Sequence, residues 1–238
     1  MTRLYAGTSG WSYPTWKPAF YPAKLATTKF LSHYATRLNT VEVNYTFRHF
    51  ASEKSQDGWC AQTPDGFRFS LKAHQRITHI KRLKEASADA SGFLKSMQPL
   101  HGNGKLGFAL FQLPPNLKID VPLLRDFLDG VPSGQLAFEF RHESWFTDEV
   151  FDALKAKKAT LCIAESEKLE TPDVATSNCV YYRMRKGDYT PEEQKGIAKR
   201  IGGHIDAGRD VYVYFKHEDT PDGAFYAEKL LKEFSSLS

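Results

Sequence analysis

The feature that most constrains this chain is an alternation, along its whole length, of short β-rich runs and longer helical patterns. Strands are predicted over Leu4–Gly7, Thr40–Asn44, Phe67–Lys72, Leu106–Gln112, Leu136–Arg141, Thr160–Ala164, Val180–Arg185 and Asp210–Lys216. Helices are predicted over Thr27–Leu38, Ser52–Cys60, Leu83–Met97, Val121–Leu128, Asp148–Lys157, Pro191–Ala207 and Asp222–Phe234. This order is typical of parallel strands joined by helical crossovers.

Repeated strand–helix units in a chain of 238 residues indicate the fold class. Their number matches an α/β protein of the TIM-type (β/α)₈ barrel, which we expect to fill residues 1–238 as one domain. The segment Thr171-Pro172-Asp173 has the composition of a loop, so any helix between strands six and seven should be irregular. A doubly wound open sheet is the alternative, but no G-x-G-x-x-G opens a helix.

Composition narrows the class of protein and its expected location in the cell. Hydrophobic residues make up 41% and charged residues 25%, which is ordinary for a globular chain. No apolar run is long enough for a membrane span, and the first residues lack the apolar core of a signal peptide. Three widely spaced cysteines, Cys60, Cys162 and Cys179, imply no disulfide framework, so we expect a cytoplasmic location. The net charge of +4 permits an acidic partner without requiring one.

Side chains alternate between the two faces of a strand, so each predicted strand divides into a helix-facing and a lumen-facing set. The apolar set should face the helices, and polar residues then gather on the inner face towards the carboxyl ends of the strands. Active sites of TIM barrels lie at that end. The residues expected to converge there are Glu42, Asn44, Lys72, His74, Gln112, Glu139, Arg141, Arg183, Arg185 and Lys216.

This inner set carries more cations than carboxylates. Internal salt bridges Glu42–Lys72 and Glu139–Arg141 would explain individual pairs, but the arginines and lysines outnumber the two glutamates. A buried ion must be paired, so the surplus favours a small anionic ligand such as a phosphate or a carboxylate.

Several ordered segments resemble one known family. They are Gly7-Thr8-Ser9-Gly10-Trp11-Ser12-Tyr13, Phe20-Tyr21-Pro22, Thr40-Val41-Glu42-Val43-Asn44, Arg76-Ile77-Thr78-His79, Phe111-Gln112-Leu113-Pro114-Pro115, Glu139-Phe140-Arg141-His142-Glu143-Ser144-Trp145 and Tyr212-Val213-Tyr214-Phe215. The chain is similar, from Tyr5 to about Leu231, to the YecE-like family, domain of unknown function 72. The resemblance implies a TIM-type barrel, mainly bacterial and archaeal, with no settled activity. The chain departs from the family pattern at Ala73-His74-Gln75 and at Lys216-His217-Glu218-Asp219.

The inner residues suggest roles in acid/base chemistry. Glu42 and Glu139, on separate strands, are the candidate acid and base, and Lys72 is a candidate base or Schiff-base nucleophile. An ion-pair role for Lys72 remains the alternative. The predicted substrate-binding residues are Ser9, Trp11, Asn44, His74, Gln112, Arg141, His142, Arg183 and Lys216. Ser9 belongs to a Gly-flanked turn suited to an oxyanion, and Trp11 either stacks on a ligand or packs a loop.

No metal and no cofactor is predicted. His217-Glu218-Asp219, His142-Glu143 and the pair His74 and His79 offer ligand types, but neither H-E-x-x-H nor zinc-spaced Cys/His pairs occur. The favoured hypothesis is a hydrolase or an isomerase/lyase acting on a small anionic, phosphorylated substrate. A nucleic-acid-binding barrel or repair-type phosphodiesterase is the second hypothesis, and a non-catalytic ligand-binding module is the third.

Overall fold

The computed structural model describes residues 3–165, 169–216 and 219–235. Its strands are β1 (Leu4–Ser9), β2 (Thr40–Val43), β3 (Arg68–Lys72), β4 (Leu106–Gln112), β5 (Leu136–Glu139), β6 (Thr160–Ala164), β7 (Cys179–Met184) and β8 (Asp210–Phe215). Its α-helices are α1 (Phe30–Tyr34), α2 (Glu53–Ala61), α3 (Ser87–Ser96), α4 (Gln98–Gly102), α5 (Val121–Gly130), α6 (Asp148–Lys157), α7 (Pro191–Asp206) and α8 (Asp222–Ser235). None of the helices in these ranges is long and apolar enough to cross a membrane.

The eight strands form a closed parallel barrel in sequence order. Each strand pairs with the next, and β8 closes on β1 through the register Leu4 to Val211 and Thr8 to Phe215. The predicted TIM-type barrel is therefore confirmed. Closure brings the carboxyl ends of all eight strands to one rim, which is where the polar inner residues were predicted to meet.

Two separate apolar clusters show that the strand faces divide as the alternation predicted. The larger lies between the strands and the helices and holds the valines, leucines and phenylalanines of the outward set. The smaller fills the lumen with Tyr5, Phe108, Leu110, Ala137, Cys162, Ala164, Tyr181, Tyr212 and Tyr214. Because these side chains fill the lumen below the mouth, the polar groups near the mouth rest on tightly packed side chains.

One glycine fixes how β1 approaches β2. A Cβ at Gly7 would lie 1.9 Å from the backbone oxygen of Thr40, so the two strands can be this close only with glycine at that position. The pairing continues to Ser9 opposite Glu42. The chain then turns at Gly10, whose φ is +100°. The close pairing therefore sets a hydroxyl beside the buried carboxylate of the mouth.

The structure departs from the prediction mainly at the ends of elements. Thr27–Leu38 contains a 3₁₀ turn and only one short α-helix, α1. The stretch predicted as one helix over Leu83–Met97 begins instead with a loop, and α3 starts at Ser87. Between β6 and β7, the described residues contain no helix, in keeping with the loop composition there.

Candidate active site at the barrel mouth

Arg183, near the end of β7, lies at the centre of the mouth and is only 3% exposed. Its Nε donates to Glu42 Oε2 at 2.9 Å and its Nη2 donates to Glu42 Oε1 at 2.7 Å. Its Nη1 donates to Glu139 Oε2. One guanidinium thus joins a bidentate carboxylate on β2 to a second carboxylate on β5, across the lumen.

Glu42 is completely buried, and it accepts hydrogen bonds from other side chains in addition to those from Arg183. Ser9 Oγ donates to its Oε1 at 2.9 Å and Tyr181 Oη donates to its Oε2 at 2.7 Å. Burial alone would raise the pKa of this carboxyl, but the charges of Arg183 and Arg185 and these hydrogen bonds lower it to about 2. Glu42 is therefore a carboxylate at neutral pH, with both oxygens saturated.

Glu139 is held in the same way on the opposite side. Gln112 Nε2 lies 2.9 and 3.0 Å from its two oxygens, and Arg183 supplies the charge. Burial opposes ionisation, yet Arg183 and Arg185 bring the pKa of Glu139 below its ordinary value. The alternative pairs Glu42–Lys72 and Glu139–Arg141 are not within salt-bridge distance. Both carboxylates form their salt bridges with Arg183 instead.

Arg185 adds a second guanidinium to the cluster. Its Nη1 donates to Ser9 Oγ at 3.3 Å, and its Nη2 stands 3.6 Å from Glu42 Oε1. That Nη2 atom is buried and has no hydrogen-bond partner among the described residues. The cluster therefore retains an unused donor directed into the protein beside a saturated carboxylate.

Lys72 is the third cation of the mouth and differs from the two arginines. It ends β3, two residues beyond the lumen-facing Ser70, whose Oγ bonds Tyr214 Oη at 2.7 Å. Its Nζ lies 4.3 Å from the centre of the Phe47 ring, and no carboxylate of the described residues is within salt-bridge distance of it. Burial, reinforced by Arg183, lowers the pKa of this amine to about 8.

A group of basic side chains continues from Lys72 to the rim. His79 lies in a π-helical turn, Arg76–Ile80, and its ring centre is 4.8 Å from that of Phe47. Burial first, and then the charges of Lys72, Arg141 and Arg82, lower the pKa of His79. This shift favours the neutral imidazole, whose Nδ1 lies 2.9 Å from Thr78 Oγ1.

Arg82 follows that turn in a backbone conformation rare for a non-glycine residue. Its φ is +52°, and Leu83 and Glu85 also have positive φ. Its Nη2 donates to Asn116 Oδ1 in the loop after β4, and its Nε is buried with no hydrogen-bond partner in the described structure. Strained backbone of this kind is found at ligand-binding loops, where the surrounding structure holds it in place.

The remaining predicted site residues are less centrally placed. His74 uses both ring nitrogens within the chain, Nδ1 accepting from Arg76 N and Nε2 bonding Arg48 O. His142 Nδ1 accepts from Ser144 N and caps a short turn. Trp11 packs edge-on against Trp59 at 5.8 Å. These three side chains therefore support the loops around the mouth.

Three further predicted residues lie just beyond strand ends, because β2, β5 and β8 stop earlier than expected. Asn44 is half-buried, and its Oδ1 is buried without a hydrogen-bond partner in the described ranges. Arg141 and Lys216 are exposed at the rim. The candidate ligands His217 and Glu218 lie outside the described residues. Within those residues, no three His, Cys, Asp or Glu side chains are grouped so as to hold a metal ion.

Sequence reasoning did not select Phe47, Arg82 or Tyr181 for this site, and it named His79 only as a possible metal ligand. Tyr181 lies on the lumen face of β7, but its bond to Glu42 depends on contact across the lumen. Phe47, His79 and Arg82 come from loops, where strand alternation says nothing about direction. Only the basic run Lys81-Arg82 could have drawn attention to the last of them.

Fold and site together define a TIM barrel with a buried, net-positive ion cluster at the carboxyl-terminal mouth. The family described as "Protein of unknown function DUF72" matches residues 5–237, and the chain belongs to this family. That result confirms the resemblance noted in the sequence.

Similarity to individual proteins supports the same family. The UPF0759 protein YunF of Bacillus subtilis is 31% identical over 158 residues, which are 63% of this chain and 54% of YunF. The chain thus matches about half the length of that relative. The crystal structure of a DUF72 family protein from Thermotoga maritima has a TM-score of 0.87 at 26% identity, covering 98% of this chain and 99% of that one. One from Enterococcus faecalis, at 19% identity and a TM-score of 0.80, covers 96% and 95% and shares the fold.

Proposed function

We propose that the protein is an enzyme acting on a small substrate with a phosphate or carboxylate group, by proton transfer at the mouth of the barrel. The observation that carries this proposal is the charge of the mouth. Among the described residues, Arg183, Arg185 and Lys72 face two carboxylates, Glu42 and Glu139, and both already accept hydrogen bonds from Arg183. A ligand anion would supply the missing negative charge.

The proposal assigns different tasks to the inner and outer groups. Glu42 and Glu139 stay ionised and position Arg183, because Arg183 lowers the pKa of both. Lys72 gains and loses a proton near neutral pH, since the pKa of its amine is about 8. Arg82 and Arg141, at the rim, bind the anionic group of the substrate. The acid/base pair expected from Glu42 and Glu139 is thereby replaced by Lys72 and its neighbour His79.

A second candidate function, nucleic-acid binding, is favoured by one surface feature. Tyr45 is 45% exposed and Phe50 is 50% exposed, and the exposed Arg48 and His49 lie between them in the loop after β2. Exposed aromatic rings with interleaved cations can stack on bases and contact phosphates. Salt-sensitive binding of a single-stranded oligonucleotide, lost in Phe50→Ala, would favour this function over a small-molecule enzyme.

Phosphate should stabilise the folded protein beyond any effect of ionic strength. We expect the melting temperature to rise in phosphate relative to chloride at equal ionic strength. The gain in unfolding free energy should be about 2.7 kcal/mol at a hundredfold excess over the dissociation constant. Scanning calorimetry of the whole chain in matched salts measures both quantities. Arg82→Ala and Arg141→Ala should each reduce the phosphate-specific increment, because each removes a cation of the rim.

Arg125→Ala is the matched control, because Arg125 is an exposed arginine on α5. It should retain the full increment. Equal melting temperatures in phosphate and chloride for the parent protein would contradict an anion site at the mouth.

A further inference from the structure

Among the cations described at the inner mouth, Lys72 differs from Arg183 and Arg185 because its amine can act as a nucleophile towards carbon. We propose that Lys72 forms an imine with the carbonyl carbon of an aldehyde or ketone that carries a phosphate or carboxylate group. This inference rests on the proposed function and narrows it: the substrate is an oxo compound, and the reaction is an isomerisation or a carbon–carbon bond cleavage rather than a hydrolysis.

The position of Lys72 suits an attacking amine. The side chain leaves the end of β3 on the lumen face, on the strand whose Ser70 is fixed through Tyr214 to Thr40. The face of Phe47 lies 4.3 Å from Nζ and positions the side chain from one side through a cation–π contact with its ammonium form. No carboxylate in the described structure holds Nζ in a salt bridge, so its lone pair is not sequestered once the proton leaves.

The surroundings of Lys72 also keep part of its amine in the neutral form at physiological pH. Burial and the nearby Arg183 bring the pKa of Lys72 to about 8. At pH 7 about one amine in ten is then unprotonated, whereas an ordinary lysine, with a pKa near 10.4, has well under about one in a thousand. A desolvated lysine next to another cation is a recognised arrangement for Schiff-base chemistry.

The covalent step balances without a further reactant. The ammonium form of Lys72 first releases one proton to water. Neutral Nζ adds to the carbonyl carbon, the C–O π bond breaks, and a proton moves from the nitrogen to the oxygen to give a carbinolamine. The carbinolamine then takes one proton back, loses its oxygen as water and leaves a protonated imine. Overall, the ammonium form of lysine and the carbonyl give the iminium ion and one water molecule, with the charge unchanged.

His79 is placed to act on the product of that step. Its ring contacts the same Phe47 ring that supports Lys72, at 4.8 Å between centres. The iminium ion withdraws electrons from the adjacent carbon and so acidifies its C–H bond, and the neutral imidazole can accept that proton. Arg82 and Arg141 would hold the anionic group on the solvent side, which leaves the carbonyl directed inwards.

Reductive trapping tests the proposal on the full chain. The protein is incubated separately with glyceraldehyde 3-phosphate and with pyruvate, reduced with sodium borohydride, digested and mapped by mass spectrometry. We expect a secondary amine at Lys72, formed more than about tenfold faster than at any other lysine, because so much more of its amine is neutral. Lys72→Arg should abolish this adduct, and Lys118→Arg, which alters an exposed lysine on the loop after β4, should leave it unchanged.

The outcomes separate this inference from the function on which it rests. If neither probe labels Lys72, or if labelling is spread evenly over the lysines, the imine is wrong. The proposed function still stands in that case, provided that phosphate stabilises the protein and Arg141→Ala reduces the effect. Absence of both labelling and phosphate stabilisation overturns both. The melting temperature of Lys72→Arg verifies that its loss of labelling is not loss of fold.

Discussion

Replacing Arg183 by alanine is expected to lower the free energy of unfolding by about 3–5 kcal/mol, as measured by urea denaturation at pH 7. The change leaves Glu42, which is fully buried, and Glu139, which is 4% exposed, without their shared guanidinium. Arg185 reaches only the Glu42 side, at 3.6 Å, and does not replace the bond to Glu139. Two buried carboxylates would then repel each other across the lumen.

The dependence on pH distinguishes lost charge pairing from lost packing. In the parent protein the fold lowers the pKa of Glu42 from 4.5 to about 2, so its contribution to stability is complete above pH 4.5. That contribution declines as the pH falls towards 2. In Arg183→Ala, burial without the arginine should raise the pKa of both carboxyls, so the variant's deficit should shrink on acidification.

Two variants serve as controls for this experiment. Arg125→Ala, on the surface of α5, should change stability by no more than about 0.5 kcal/mol. Adding Glu42→Gln and Glu139→Gln to Arg183→Ala should recover part of the loss, because no unpaired charge is left buried. A loss in Arg183→Ala as small as in Arg125→Ala would show that the ion cluster does not hold the mouth together.

Replacing Lys72 by methionine is expected to reduce turnover by about 10²–10⁴-fold, because the reaction loses the group that transfers its proton. Turnover can be followed without identifying the substrate, as the uptake of deuterium from heavy water into pooled phosphorylated and carboxylated oxo compounds. The parent rate should increase with pH around the pKa of about 8, since only the neutral amine is active.

Burial, followed by the charged groups around Lys72, sets that midpoint. Arg183 and Arg185 lower the pKa of its amine, whereas Glu139 and Glu42 raise it. Lys118→Met, at an exposed position on the same side of the barrel, should keep the parent rate and pH profile. Deuterium uptake that survives unchanged in Lys72→Met would remove Lys72 from the reaction.

The sequence was sufficient to predict the barrel, because a barrel is specified by local patterns. Strand alternation, such as Val41 and Val43 facing outwards around Glu42, determines which side chains enter the lumen. The same pattern predicted β4 and β6 with their observed ends. It placed the ends of β2 and β5 one or two residues late, because pairing stops where the loop starts to turn.

The pairing inside the mouth could not be predicted in the same way. Glu42 on β2 meets Arg183 on β7 because strand tilt and stagger bring opposite sides of the barrel together. Proximity in the sequence instead suggested a salt bridge between Glu139 and Arg141. Arg141, however, lies beyond the end of β5 and is exposed. Arg82 depends on a strained loop with no repeating pattern, so nothing in the strand analysis pointed to it.

Measuring the pKa of the Lys72 amine tests the central claim most directly. That claim is that the mouth is net positive and that Lys72 is a reactive amine without a salt bridge to any described carboxylate. The pKa can be measured by NMR titration of isotopically labelled lysine side chains, with the Lys72 signal assigned by its loss in Lys72→Arg. We predict a midpoint of about 8, moving upwards when phosphate binds, because an anion stabilises the ammonium form. A midpoint at the ordinary value near 10.4, unmoved by phosphate, would contradict the account.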